Sequence, residues 1–185
     1  MHFLGDVQSF SYFCSEFNTY FIMSSVQSFQ EIERKFLVSG DFRAEAVQFT
    51  DIKQGYLCGG LGVSVRVRVR GDKGYLTIKG SRNPNGISRF EWEKEITKEE
   101  ADALLGLAEG GCIEKTRYLV PNTDGKHTWE VDVFHGDNEG LIVAEIEVGD
   151  ENDAFDKPVW LGQEVSNDRR YYNSQLLRNP YKNWK

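Results

Sequence analysis

Val65-Arg66-Val67-Arg68-Val69-Arg70 alternates an apolar residue with a cation over six positions. Period two is the mark of a β-strand whose two faces meet different surroundings. Alone, such a strand would have one wet face and one core face. The segments around it repeat the pattern. Upstream, Glu31, Glu33 and Lys35 share a face of 30–38; downstream, Thr77 and Lys79 share a face of 73–79. Arg89, Glu91, Glu93 and Glu95 fall together in 87–96, Lys115 with Arg117 in 112–120, Glu130 with Asp132 in 127–135, and Glu145 with Glu147 in 141–148. With 50–58 these make eight strand segments. Gly59-Gly60, Gly71-Asp72 and Asn83-Pro84-Asn85-Gly86 separate several of them, and those residues suit tight turns. Helices are few. Thr97-Lys98-Glu99-Glu100 reads as a capping box, with apolar residues at helical spacing from Ala101 to Ala108 and a stop at Gly110-Gly111. Residues 167–178 have the length of a second helix. The expected class is α+β but mainly β: an eight-stranded antiparallel meander closed into a barrel, with helices packed outside.

Charge is sorted by strand, acidic in the first and eighth segments and basic in the third and sixth. If the sheet closes, the charged faces point inward and the apolar faces pack outward. Burying so many unpaired charges would be prohibitive, so the lumen must be wet and built for a ligand. Cations on one wall suit a polyphosphate, and carboxylates on another suit hard divalent cations that bridge to it.

The chain has 185 residues, 22 Lys plus Arg against 29 Asp plus Glu, and a net charge of -7. That length fits one domain. The acidic balance argues against a nucleic-acid binder, which needs excess Lys and Arg to neutralise phosphates. No run approaches the ~20 apolar residues of a spanning helix. Cys14, Cys58 and Cys112 are far apart and odd in number, which favours a reducing, cytoplasmic setting. Residues 1–22 contain aromatics but no Lys or Arg, and lack the features of a signal or transit peptide. They are expected to be an extension outside the fold, leaving 23–185 as a single domain. Trp92 and Trp129 read as packing residues on the barrel exterior, and His127 and His135 as strand residues rather than metal ligands.

Glu31-Ile32-Glu33-Arg34-Lys35-Phe36-Leu37-Val38 resembles the ExExK signature of the CYTH superfamily, the triphosphate tunnel metalloenzymes. Further matches follow in order, among them Gln54-Gly55-Tyr56-Leu57, Leu76-Thr77-Ile78-Lys79, Arg89-Phe90-Glu91-Trp92-Glu93, Glu114-Lys115-Thr116-Arg117-Tyr118 and Asp168-Arg169-Arg170-Tyr171. EIERKFLV with QGYL is most similar to the short bacterial branch that contains inorganic triphosphatases.

The resemblance implies a triphosphate held in the lumen by cations, with carboxylates on Mg²⁺ or Mn²⁺. It assigns Glu31, Glu33, Glu145 and Glu147 to metal, and Glu91, Glu93 and Asp132 to metal or to support behind it. Arg66, Arg68, Lys79, Lys115, Arg117 and Arg170 would bind phosphates. Lys35 and Tyr56 match a pair that would activate the attacking water, the ammonium favouring tyrosinate; a metal-bound water with a Glu acceptor is the competing mechanism. The implied activity is metal-dependent hydrolysis of inorganic triphosphate to pyrophosphate and phosphate. The alternatives are a class IV-type adenylyl cyclase, a nucleoside or thiamine triphosphatase, and a non-enzymatic polyphosphate binder. The implied partner is a small-molecule triphosphate, with no nucleic acid or membrane, and a homodimer is left open.

Overall fold

Alternating sequence becomes a wall here because almost every strand finds a neighbour on both edges. The computed structural model describes residues 29–60, 62–82 and 88–184. The expected extension at 1–22 and the Asn83-Pro84-Asn85-Gly86 turn lie outside them. The strands are β1 (Gln30–Val38), β2 (Gln48–Gly60), β3 (Val63–Arg70), β4 (Lys73–Arg82), β5 (Ser88–Ile96), β6 (Ile113–Pro121), β7 (Thr128–Phe134), β8 (Ile142–Glu147) and β9 (Leu161–Glu164). The helices are α1 (Lys98–Leu105) and α2 (Asn173–Arg178).

The sheet runs β5-β4-β3-β2-β6-β7-β8-β1-β9, and a further β1–β5 pairing closes it into an eight-stranded antiparallel barrel. The first residues of β1 pair with β5, at Gln30 with Phe90 and Ile32 with Ser88. Glu33 through Leu37 then pair with β8. The barrel is not one continuous meander. Brief connections lead from β2 through β5 and from β6 through β8, but the longer 39–47 and 97–112 connections re-route the chain, so β1 sits between β8 and β5 and β6 beside β2. The four-residue β9 pairs with β1 outside the barrel, across an irregularity between Phe36 and Val38. Its Leu-Gly-Gln-Glu sequence is too short and too mixed to show a period.

The capping box forms as expected: Glu100 N–H donates to Thr97 Oγ1 at 3.1 Å, and Thr97 N–H to Glu100 Oε2 at 2.8 Å. The helix ends at Leu105, earlier than the apolar spacing suggested, and Gly110 and Gly111 occupy the left-handed region further on. Its apolar face, Ala101 and Leu105, covers Val67 on the barrel exterior. This contact needs bare backbone below: a Cβ on Gly74 would lie 2.4 Å from Thr97 O, and one on Gly55 2.5 Å from Ala108 Cβ. The C-terminal segment turns once as a 3₁₀ helix at Arg169–Tyr171 before α2 begins.

The largest apolar core also lies outside the barrel. Phe36, Val131 and Ile146 from the outer strand faces pack with Phe42, Trp129, Val148 and Trp160 beneath the 39–47 and 149–160 loops. Trp129 is therefore an exterior packing residue, under loops rather than a helix. At one end the inward positions turn apolar too. Ile113, Phe134 and Val143 meet Leu176 of α2, which closes that end.

Candidate active site in the barrel lumen

Antiparallel register decides which side chains share the lumen. Arg66 lies opposite Thr77 and Thr77 opposite Glu93; Lys35 lies opposite Glu145 and Glu145 opposite Glu130; Glu33 lies opposite Glu147. The result is a cavity of about 380 Å³ lined by charge. Seven carboxylates (Glu31, Glu33, Glu91, Glu93, Glu130, Glu145, Glu147) and seven cations (Lys35, Arg66, Arg68, Arg70, Lys79, Arg89, Arg117) face it, so its formal sum is zero. Phe29, Gln30, Ser64, Tyr56, Tyr172, Asn173 and Ser174 complete the wall.

The charges are held in pairs. Lys35 bonds to Glu145 and lies 3.1 Å from Glu33 Oε1. Arg89 Nε donates to Glu31 Oε2 at 2.8 Å, and Lys79 bridges Glu31 and Glu91. Arg68 Nη2 donates to Glu93 at 2.5 Å, and Arg66 Nη2 to Thr77 Oγ1 at 3.3 Å. Arg117 grips Asp132 with two bonds, of 2.7 and 2.6 Å, and reaches Glu130 and Glu145.

These pairings set the proton affinities. Burial alone would raise Glu33 and Glu145, but Lys35 holds each at about 2, helped at Glu145 by Arg117 and Lys115. Lys35 moves well above its usual range, because Glu145 and Glu33 outweigh its burial. Lys79 goes the other way: burial and nearby Arg66 bring it to about 8 despite Glu31. Glu91 is pushed up to about 7 by burial and by its hydrogen bond with Glu31. Tyr56 rises above its usual value, since burial prevails over Arg66, Arg89, Arg68 and Lys35.

The structure brings most of the expected site residues together, with exceptions. Lys115 is buried behind the wall and bonded to Asp132, which also holds Arg117. Lys115 and Asp132 therefore support Arg117 instead of facing the cavity. Arg170 departs most from expectation: its side chain is 63% exposed, paired with Asp168 at 2.6 Å and set over the rings of Tyr171 and Trp184. Arg169 is exposed as well. Lys35 and Tyr56 both line the cavity, but no hydrogen bond joins them in this state. Arg70, Arg89, Glu130 and Tyr172 were missed. Arg89 and Glu130 had a signal, because each shares the alternation of residues that were chosen; Tyr172, in a non-repeating segment, had none.

The resemblance to the CYTH superfamily implies a divalent cation, and the donors in the lumen suit one. They are carboxylate oxygens only, the ligands of hard cations. Among the described residues no three of them converge closely enough to enclose an ion. Mg²⁺-type sites, however, need only one or two carboxylates, with waters and phosphate oxygens completing the shell. Glu147 fits that role: no cation forms an ion pair with it among the described residues, and burial with Glu31, Glu130 and Glu33 nearby raises its proton affinity. Among the described residues no helix is long and apolar enough to cross a membrane.

Comparison with known proteins gives a consistent picture. Residues 30–175 match the model of the CYTH domain. The chain is 52% identical over 157 residues to an inorganic triphosphatase of Acetivibrio thermocellus, covering 84% of this chain and 98% of the relative. An inorganic triphosphatase of Nitrosomonas europaea is 37% identical over 149 residues, covering 79% and 95%. The crystal structure of the inorganic triphosphatase NE1496 superposes with a TM-score of 0.59 at 35% identity, covering 80% of this chain and 93% of that one.

Proposed function

The chain belongs to the CYTH-domain family, and from that premise we propose that it hydrolyses inorganic triphosphate to pyrophosphate and phosphate with the aid of divalent cations. The observation that carries this reading is the lumen: a cavity of about 380 Å³ whose walls carry equal numbers of cations and carboxylates. Family membership implies a divalent-cation requirement, and Mg²⁺ or Mn²⁺ suits the oxygen donors. Glu31, Glu33, Glu145 and Glu147 would hold it, with Glu91 and Glu93 beside them. Bound there, the ion would neutralise phosphate charge and polarise the phosphoryl group.

The chain's own residues do the rest. Arg66, Arg68, Lys79 and Arg117, joined by Arg70 and Arg89, exchange carboxylate partners for phosphate oxygens, where a guanidinium fork gives two bonds in fixed geometry. A water attacks the terminal phosphorus, the bridging P–O bond breaks, and pyrophosphate leaves with charge that the cations stabilise. Tyr56, as the phenolate that Lys35 favours, takes the water proton. This is the activity of a cytoplasmic enzyme acting on a small molecule.

A phosphate-release panel tests the reading. Triphosphate should turn over fastest, ahead of ATP, thiamine triphosphate and pyrophosphate, with no cyclic AMP formed from ATP. Cyclic AMP as the main product would overturn the hydrolase in favour of a cyclase.

Lys79 supplies a pH test with a defined sign. Burial and Arg66 bring it down to about 8. As pH rises through that value the lumen loses one positive charge, so KM for triphosphate should climb, by up to about tenfold by pH 9. Lys79→Arg keeps the charge and should hold KM flat to pH 10. Equal rises in both proteins would show that another group is responsible.

A further inference from the structure

Gln54, in the Gln-Gly-Tyr-Leu stretch, is fully buried, yet neither Nε2 nor Oε1 of its side chain has a hydrogen-bond partner. Buried amides are almost always bonded, and an orphaned one costs more than an apolar side chain of the same size. Its direct partners across the sheet are Arg68 on β3 and Ile113 on β6. Ile113 is apolar and offers nothing. Arg68 offers a donor: its Nε–H is also buried and also unpartnered, while its Nη2 is drawn to Glu93 at 2.5 Å. Two groups that could satisfy each other thus sit on directly paired residues, and neither is satisfied.

Gln54 does not reach the cavity wall, so whatever it does passes through another residue. We propose that Gln54 is the positioning residue of Arg68. With the lumen empty, Glu93 holds the Nη end and strands the Nε end. When a phosphate oxygen replaces Glu93 at the Nη end, the guanidinium turns, and its Nε–H settles on Gln54 Oε1. The fork is then fixed from behind as it grips the substrate. The ligand-free state keeps two orphaned groups that the loaded state pairs, so part of the binding free energy comes from relieving them. The inference rests on the triphosphatase reading and concerns how Arg68, on the phosphate wall, is oriented.

A double-mutant cycle with Gln54→Met and Arg68→Lys tests it, since lysine has no Nε–H to place. Triphosphate KM and kcat are measured, together with the Tm of each protein in Mg²⁺ buffer with and without excess triphosphate. Gln54→Met should leave the ligand-free Tm unchanged or higher. It should raise KM about tenfold or more, the effect of one hydrogen bond to a charged group, with a smaller change in kcat. It should shrink the Tm gain that triphosphate gives. In the Arg68→Lys background it should add nothing. Gln54→Leu, close to Gln in volume, should reproduce these results if Met is not tolerated. Losses that multiply in the double variant, or a lower Tm with KM unchanged, overturn the inference and leave Gln54 a structural amide. A wild-type protein neither stabilised by triphosphate nor active on it overturns the triphosphatase reading, and this inference with it.

Discussion

Chelating divalent cations should abolish triphosphate hydrolysis, by about 10³-fold or more, and Mg²⁺ should restore it. The argument begins with the charge of the lumen. Seven carboxylates meet seven Lys and Arg side chains, so the protein provides no net positive charge to a polyanion. Arg68 is held by Glu93, Arg89 by Glu31, Lys35 by Glu33 and Glu145, and Arg117 by Asp132, Glu130 and Glu145. Triphosphate can take those cations only if something else takes the carboxylates. Without a divalent ion, each substrate contact would strand a buried glutamate, and breaking a buried pair costs about 3–5 kcal/mol. Glu31, Glu33, Glu145 and Glu147 would hold such an ion, which would resolve the exchange and add the positive charge that the lumen lacks. Phosphate release before and after chelation, then after metal return, is the measurement. Full turnover in excess chelator would remove these four residues from the metal role. Glu147→Gln alone should act in the same direction and raise the Mg²⁺ concentration needed for half-maximal rate.

The parts of this arrangement that were legible in the sequence are those written in period two. Val65 through Arg70 announces both its strand and its inward face, because each residue's side is fixed by parity once the sheet closes. Parity also identifies Arg89 through Glu91 and Glu93, and Glu130 through Asp132. Depth was not legible. Lys115 and Arg117 read as equals, yet Lys115 lies behind the wall, toward the apolar end where Ile113, Phe134 and Leu176 meet. Barrel stagger sets which layer faces the cavity, and stagger depends on register rather than on any one strand. Arg170 lies away from the cavity for a different reason. It lies in a 3₁₀ turn, where no alternation assigns a face, and Asp168 two residues earlier holds it outside. Strand order was hidden as well. Hairpin turns announce neighbours, but the 39–47 and 97–112 connections do not say where the chain returns.

Removing either Lys35 or Tyr56 should cost most of what removing both costs. In the ligand-free lumen the pair is not armed. Lys35 is bound to Glu145 and lies 3.1 Å from Glu33, and burial keeps the Tyr56 proton in place against four nearby cations. Metal loading would change this, because Glu33 and Glu145 would hold the ion and the ammonium would be released from both. Lys35 already acts electrostatically on Tyr56; once released, it can pair with the phenolic oxygen and favour the phenolate. Lys35→Ala and Tyr56→Phe should then each lower kcat by about 10²–10⁴, and the double variant should be no worse than the worse single one. KM should move less, since Arg66, Arg68 and Arg117 still hold the phosphates. Lys35→Ala also takes a buried cation from two buried carboxylates, so its Tm must be checked before its rate is read. The pH profile carries the sign. The base is the deprotonated form, so the wild-type kcat should rise with pH, by about tenfold per unit while Tyr56 remains mostly protonated. Lys35 should stay charged across that limb, because the phenolate replaces Glu33 and Glu145 as its partner. Tyr56→Phe should flatten it. Losses that multiply in the double variant, with an alkaline rise that survives in Tyr56→Phe, would dissolve the pair. Lys35 would then serve only to position Glu33 and Glu145, and a lumen carboxylate would receive the proton.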